Sequence, residues 1–384
     1  MMNIMKLPPL ESLKTPFYFY DLSVLENTLD ELKSIESKYN FHIHYALKAN
    51  SNNEILKRIQ KKGFGADCVS GNEISHALQC GFKPDDIVFA GVGKTDSEIN
   101  LALEKDILCF NCESIPEIEI INELAAKQNK VAQIALRLNP NIDAYTHKYI
   151  TTGLEENKFG INAHELNDII ELLKTNVHVK LVGLHFHIGS QIVDLKPYRE
   201  LCSKVNEYIH FFEQKGIHLS IINVGGGLGI NYNEPDSLNN PNFNTYFEIF
   251  HNFLELRPGQ QLHFELGRSI VANCGSLISR VVYVKKGINT NFIILDAGMT
   301  ELIRPALYQA FHKLENISSK ENDHEIYDVV GPICESSDCF GKAINLPITK
   351  RGDIIAIRST GAYGEVMASN YNLREKATSH YNNE

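Results

Sequence analysis

The sequence predicts a (β/α)8 TIM barrel followed by a C-terminal antiparallel β domain, and three observations predict it. From about residue 40 to 270, short β-branched runs alternate with amphipathic stretches, the pattern of βα units on a parallel sheet. Eight such runs fit into about 230 residues, a span that suits a closed barrel better than an open sheet. After about residue 275, long amphipathic helices become scarce and alternating strands with turn signals take over.

In chain order the barrel strands read FHIHYAL, GADCV, DIVFA, DILCF, VAQIALRL, VKLVGLHFHI, LSIINVGG and LHFEL. The intervening helices read NNEILKRIQKK, GNEISHALQC, SEINLALEK, SIPEIEIINELAAKQ, NAHELNDIIELLKT, KPYRELCSKVNEYIHFFEQK and NFNTYFEIFHNFLEL. The later strands are SLISRVVYVKKG, NFIILDAG, EIYDVVG, AINLPI and DIIAIRS, and the early PFYFYD (16 to 21) is a strand with no barrel role. The expected boundaries are therefore 22–272 for the barrel and 1–21 plus 273–384 for the β domain.

The 384 residues are 43% hydrophobic and 22% charged, ordinary for a globular enzyme. With a net charge of -10 and no basic stripe interleaved with aromatics, a nucleic-acid partner is not expected. No apolar run reaches the ~20 residues of a membrane span, and MMNIMKLPPLESLK lacks a secretory apolar core, so the expected location is cytoplasmic. Eight scattered cysteines are expected as reduced thiols, and the lone CxxC of Cys109 and Cys112 receives no function.

Chemistry-bearing residues gather where a barrel keeps its chemistry, at the strand carboxyl ends. Lys48 closes the apolar run of HYALKAN (44 to 50), and burial there would lower its pKa and make the amine nucleophilic. A lysine snorkelling to solvent is the bland alternative. His185 and His187 in HFHIGSQ (185 to 191) share one strand face, with no carboxylate or third histidine near them in sequence. Stacking of His187 on a flat cofactor is the preferred reading, and no metal is assigned.

The loop NVGGGLGI (223 to 230) puts Gly225, Gly226 and Gly227 in a row, suited to close approach of a phosphate or to a tight turn. FELGRS (264 to 269) sets Glu265 and Arg268 beside the pocket, as a carboxylate for a heteroaromatic nitrogen or as an ion pair at a helix start. Cys334 and Glu335 adjoin in GPICESSDCFG (331 to 341), where the thiol can deliver a proton or serve as a small hydrophobe. IRPALYQAF and STGAYGEVM add Arg304, Tyr308 and Tyr363.

Taken together, in this order and approximate spacing, these segments resemble the fold-type III pyridoxal-phosphate decarboxylases from PFYFYD to GAYGEVM. The resemblance implies pyridoxal 5'-phosphate held covalently through Lys48, with His187 on the ring and Glu265 at the pyridine nitrogen. It implies Ser190, Gly225, Gly226, Gly227, Gly267, Arg268 and Tyr363 around the phosphate. Arg268, Arg304, Tyr308, Glu335 and Tyr363 would read an amino-acid substrate. Cys334 would act as the acid, supplied by the second chain of a homodimer with shared active sites.

The implied reaction is decarboxylation of meso-2,6-diaminopimelate to L-lysine and CO2. Related decarboxylation of ornithine, arginine or carboxynorspermidine is the alternative, and a non-catalytic cofactor-binding relative is the reading from another class. Two positions depart from the pattern. Leu266 replaces the usual proline after the glutamate of ExGR, and Tyr145 stands where histidine is commoner, with altered packing the expected effect.

Overall fold

The computed structural model describes residues 13–142, 158–237 and 240–382; Tyr145 lies outside them. Strand β1 (Phe17–Tyr20) and the 18-residue helix α1 (Leu22–Tyr39) come first. Eight strands then follow: β2 (His42–Ala46), β3 (Gly65–Cys68), β4 (Ile87–Phe89), β5 (Cys109–Cys112), β6 (Ala132–Arg137), β7 (Val179–His185), β8 (Ile221–Asn223) and β9 (Gln261–Leu266). Each is parallel to its neighbour, and β9 pairs with β2 to close the barrel.

The helices of this unit are α2 (Asn53–Lys61), α3 (Gly71–Gln79), α4 (Asp96–Glu104), α5 (Ile115–Lys127), α6 (Leu166–Thr175), α7 (Lys196–Gln214) and α8 (Phe243–Phe253). Their starts are written locally. The side chains of Asn52, Ser70, Thr95, Ser114 and Asn242 each accept a backbone N–H of the first turn, and Thr95 forms a full capping box with Glu98. Each such cap is worth ~1 kcal/mol and fixes where the chain leaves a loop to enter its helix.

Helix α1 is absent from the sequence reading above. Its signal was present, since Leu22, Leu25, Leu29, Leu32 and Ile35 recur at three- and four-residue spacing and are all buried.

The second unit is built on β1 with β10 (Gly275–Lys286), β11 (Asn291–Leu295), β12 (Leu314–Asn316), β13 (His324–Val330), β14 (Cys339–Pro347), β15 (Ile354–Ile357) and β16 (Thr378–Tyr381). Its main strand order is β12-β15-β10-β11-β13-β14, and β1 pairs with β10 and β16. Most pairs are antiparallel, but β1 with β16 and β11 with β13 run parallel, so the sheet is mixed. Phe17, Phe19, Ile278, Ile354 and Ala356 form a buried cluster on it.

The two compact units are Leu29–Gly229 with Asn242–Gly267, and Met1–Thr28 with Ile230–Pro241 and Arg268–Glu384. Residues 230–241, read above as barrel, pack with the β unit because Tyr232 meets Arg268 and Asp236 meets Arg358 there. No helix of the described residues is long and apolar enough to cross a membrane.

Candidate active site

Lys48 does not sit on the strand itself but on the single turn Leu47–Ala49 that follows β2. Its Nζ donates to Asp67 Oδ2 at 2.8 Å, and its side chain is 38% exposed whereas Asp67 is fully buried. Where the sequence led to an expectation of burial, the amine is thus half-exposed and held by a buried carboxyl group. Burial and then the charge of Glu265 push the Asp67 carboxyl up from its ordinary range, with Lys48 opposing both. The second oxygen, Asp67 Oδ1, is buried with no hydrogen-bond partner.

Glu265, near the end of β9, is held by three side chains from other barrel strands. Its Oε1 accepts from Asn111 Nδ2 at 3.0 Å and Asn223 Nδ2 at 2.8 Å, while Oε2 lies 2.9 Å from His185 Nε2. Burial alone would raise the carboxyl, but the charge and hydrogen bond of His185 outweigh it and hold Glu265 well below the usual carboxylate range. It is a preorganised anion. Asn111, Asn223 and Asp67 were not singled out in sequence, and no local pattern marks them, whereas His185 was read only as the strand-face neighbour of His187 and its carboxylate partner is supplied from another strand.

His187 lies beyond the end of β7, half-buried, rather than on the strand face shared with His185. The backbone N–H of Gly226 donates to its Nδ1 at 3.4 Å, which makes Nε2 the protonated nitrogen of the neutral ring. Burial first, then the positive charges of Arg137 and Lys48, keep His187 well below its ordinary value.

The glycine run needs its glycines. Gly225 has φ +69° and Gly227 +97°, and a Cβ on Gly226 would lie 1.9 Å from the carbonyl oxygen of Glu265. The loop thus crosses directly over the strand end that carries the carboxylate. It is zipped to the loop holding Ser190 by Ile192 N to Gly227 O and Gly229 N to Ile192 O, both 2.9 Å. Gly267 ends β9, and a Cβ there would come within 2.9 Å of Ala49 Cβ on the Lys48 turn.

Within the β unit a cationic cluster forms. Arg268 Nη1 donates to Tyr232 Oη at 2.8 Å, and its guanidinium lies 4.8 Å from the ring centre of Tyr363. Arg304 Nη1 donates to His312 Nε2 at 2.7 Å and stacks 5.1 Å from the Tyr232 ring. His312 Nδ1 faces the Arg358 carbonyl at 2.9 Å, so that nitrogen carries the proton, and burial with the Arg304 charge lowers His312 to about 3. Burial would raise the Tyr232 phenol, but the two guanidinium charges overcome it and lower it. Arg304 is buried and has no carboxylate partner among the described residues.

Tyr363 adopts φ +57°, rare for a bulky side chain and the kind of strain kept where a side chain must be aimed. Tyr308 ends the short helix Arg304–Tyr308, half-buried. Cys334 and Glu335 are exposed on a loop whose backbone is held by Asp338, which accepts from Met299 N and Ile333 N, both at 2.7 Å. Tyr371 Oη donates to Glu335 at 2.8 Å.

A family model described as pyridoxal-dependent decarboxylase, pyridoxal binding domain, matches residues 25–272. The chain belongs to the pyridoxal-dependent decarboxylases. Within that family it is 57% identical to a diaminopimelate decarboxylase of Bacteroides thetaiotaomicron over 98% of this chain and 97% of the relative. Helicobacter pylori diaminopimelate decarboxylase, solved in complex with L-lysine, superposes with TM-score 0.91 at 42% identity over 97% and 92% of the two chains. Diaminopimelate decarboxylase from M. jannaschii, also solved in complex with L-lysine, superposes with TM-score 0.86 at 35% identity over 97% and 88% of the two chains.

The donor set of this decarboxylase barrel fits pyridoxal phosphate. It offers an amine for an aldehyde, an ionised carboxylate for a ring nitrogen, and a side-chain-free loop over that carboxylate where any Cβ would collide.

Proposed function

We propose that the chain decarboxylates meso-2,6-diaminopimelate to L-lysine and CO2, with pyridoxal 5'-phosphate as cofactor. The observation that carries the substrate choice is Arg304, a buried cation whose described partners are neutral. A buried charge of this kind is costly until an anion meets it, and the ligand is the remaining source. A second, distal carboxylate is what distinguishes diaminopimelate from ornithine or arginine. The names of the relatives and the L-lysine in their structures support the same choice.

Bound in the barrel, the cofactor supplies a conjugated, electron-poor ring that takes up the electron pair left when the Cα–carboxylate bond breaks. Lys48 would anchor the cofactor through its amine and release the product amine, and the Glu265 charge would favour a proton on the ring nitrogen. His187 would cover a ring face, while Ser190, Gly225, Gly226, Gly227, Gly267, Arg268 and Tyr363 would hold the phosphate. Arg268, Arg304, Tyr308, Glu335 and Tyr363 read the substrate, the arginines its distal carboxylate and Glu335 its ammonium.

Cys334 returns a proton to Cα, and its exposure suits a homodimer in which it serves the partner's Lys48 end. The free state of all eight cysteines supports a reducing compartment, the cytoplasm. The test is CO2 release from meso-diaminopimelate, ornithine, arginine and carboxynorspermidine by the purified chain. Strong preference for the first is expected, by roughly 10⁴ or more where a site rejects analogues that leave its polar groups unpaired. Equal turnover of any other would refute the assignment.

A further inference from the structure

At the amino-terminal end of the barrel strands, opposite the end where Lys48 follows β2, three imidazoles converge. His42 and His44 lie on β2 and His263 on the neighbouring β9, with His42 and His263 directly paired in register. Their ring centres are 4.6, 4.8 and 5.1 Å apart, and one donor nitrogen from each lies within 4.8 Å of the others.

The nitrogens that face outward from this triangle are already spoken for by oxygen. His44 Nδ1 lies 3.1 Å from the Asp86 carbonyl, which can only accept, so Nδ1 holds the proton and Nε2 presents its lone pair inward. His263 Nδ1 donates to His44 Nε2 at 2.9 Å, and an ion taking both nitrogens would shift that proton to His263 Nε2, which lies 3.2 Å from Gln261 Oε1 and can donate to it. The Asp86 carboxylate stands 3.7 Å from His42 Nε2. Histidine ligands of metals carry this same signature, one nitrogen on the ion and the other donating to a carbonyl, amide or carboxylate.

We infer that His42, His44 and His263 form a binding site for a divalent transition-metal ion of the zinc type, clasping the first barrel strand to the last. An ion with ~2.1 Å bonds to imidazole nitrogen holds neighbouring donors about 3.0 to 3.4 Å apart, close to the separation already present between His44 and His263. His42, partly exposed at the start of its strand, is the ligand that swings in and the route by which the ion enters.

Borderline ligands of this kind select zinc, nickel, cobalt or copper over magnesium or calcium, and Asp86 supplies a neighbouring negative charge. Gly65 on β3 makes the seat possible, since a Cβ there would lie 2.4 Å from His44 Nδ1 and 2.6 Å from the Asp86 carbonyl oxygen.

The experiment uses the cofactor-loaded full chain, stripped with a chelator and titrated calorimetrically with Zn2+, with Co2+ absorption as a second reporter. Wild type takes up one ion per chain at this site, and its Tm climbs with the logarithm of added Zn2+. His42→Ala, which removes a partly exposed ligand, weakens that binding by at least about tenfold and flattens the Tm response, while L-lysine production is retained. His263→Gln abolishes it. Should His263→Gln fail to fold, His42→Ala decides alone. Identical binding by wild type and His42→Ala, or no uptake above that of an unrelated surface-histidine protein, overturns the site.

Discussion

At the scale of single residues, the pairing of Lys48 with the buried Asp67 changes how the amine is understood. Beyond desolvation, the Asp67 carboxyl group at 2.8 Å holds and orients the amine. Asp67→Asn keeps an acceptor but removes the charge. The expected result is a fall in kcat of about tenfold or more with a displaced basic limb of the pH profile. A wild-type rate and profile would take Asp67 out of the chemistry.

Glu265 supports a pH prediction. Its folded carboxyl is depressed, so the stability it contributes is fully present above the unfolded carboxyl value of ~4.3 and is lost only as pH falls through the lower folded value. Glu265→Gln should therefore cost about 1 to 3 kcal/mol at pH 7, with the gap to wild type narrowing only in strong acid. Thermal melts of both proteins across pH measure it, and a gap that closes already at pH 5 contradicts the account.

At the scale of elements, the glycine loop over β9 is fixed by backbone collision. In Gly226→Ala the new Cβ would need to occupy a point 1.9 Å from the Glu265 carbonyl oxygen, so the loop or the strand end must move. The expected cost is about 2 to 4 kcal/mol, with loss of retained cofactor after gel filtration. Gly93→Ala is the control, because a Cβ there meets nothing within 4 Å. Unchanged melting and cofactor content in both variants would show that the loop yields freely.

At the scale of the whole molecule, the proposed homodimer with shared active sites makes a prediction that single chains cannot fulfil. Lys48→Ala and Cys334→Ala are each expected to be nearly inactive alone. Mixed under conditions where subunits exchange, they should regain about a quarter of wild-type activity, since half the dimers are hybrids and each hybrid has one intact site. No recovery despite demonstrated exchange would place Lys48 and Cys334 of each site on one chain.

The chain by itself determined what is written in short-range patterns. Period-two and period-3.6 alternation located the eight barrel strands and seven of their helices, and local runs marked Lys48, the three glycines and Glu265. Only tertiary structure decided which groups act on them. Asn111, His185 and Asn223 reach Glu265 across 154, 80 and 42 residues of sequence, Tyr232 and His312 gather round Arg268 and Arg304, and three histidines meet across β2 and β9. The physical reason is closure: a barrel turns side chains from distant strands toward one axis, and a hydrogen bond depends on distance in space, which spacing along the chain does not encode.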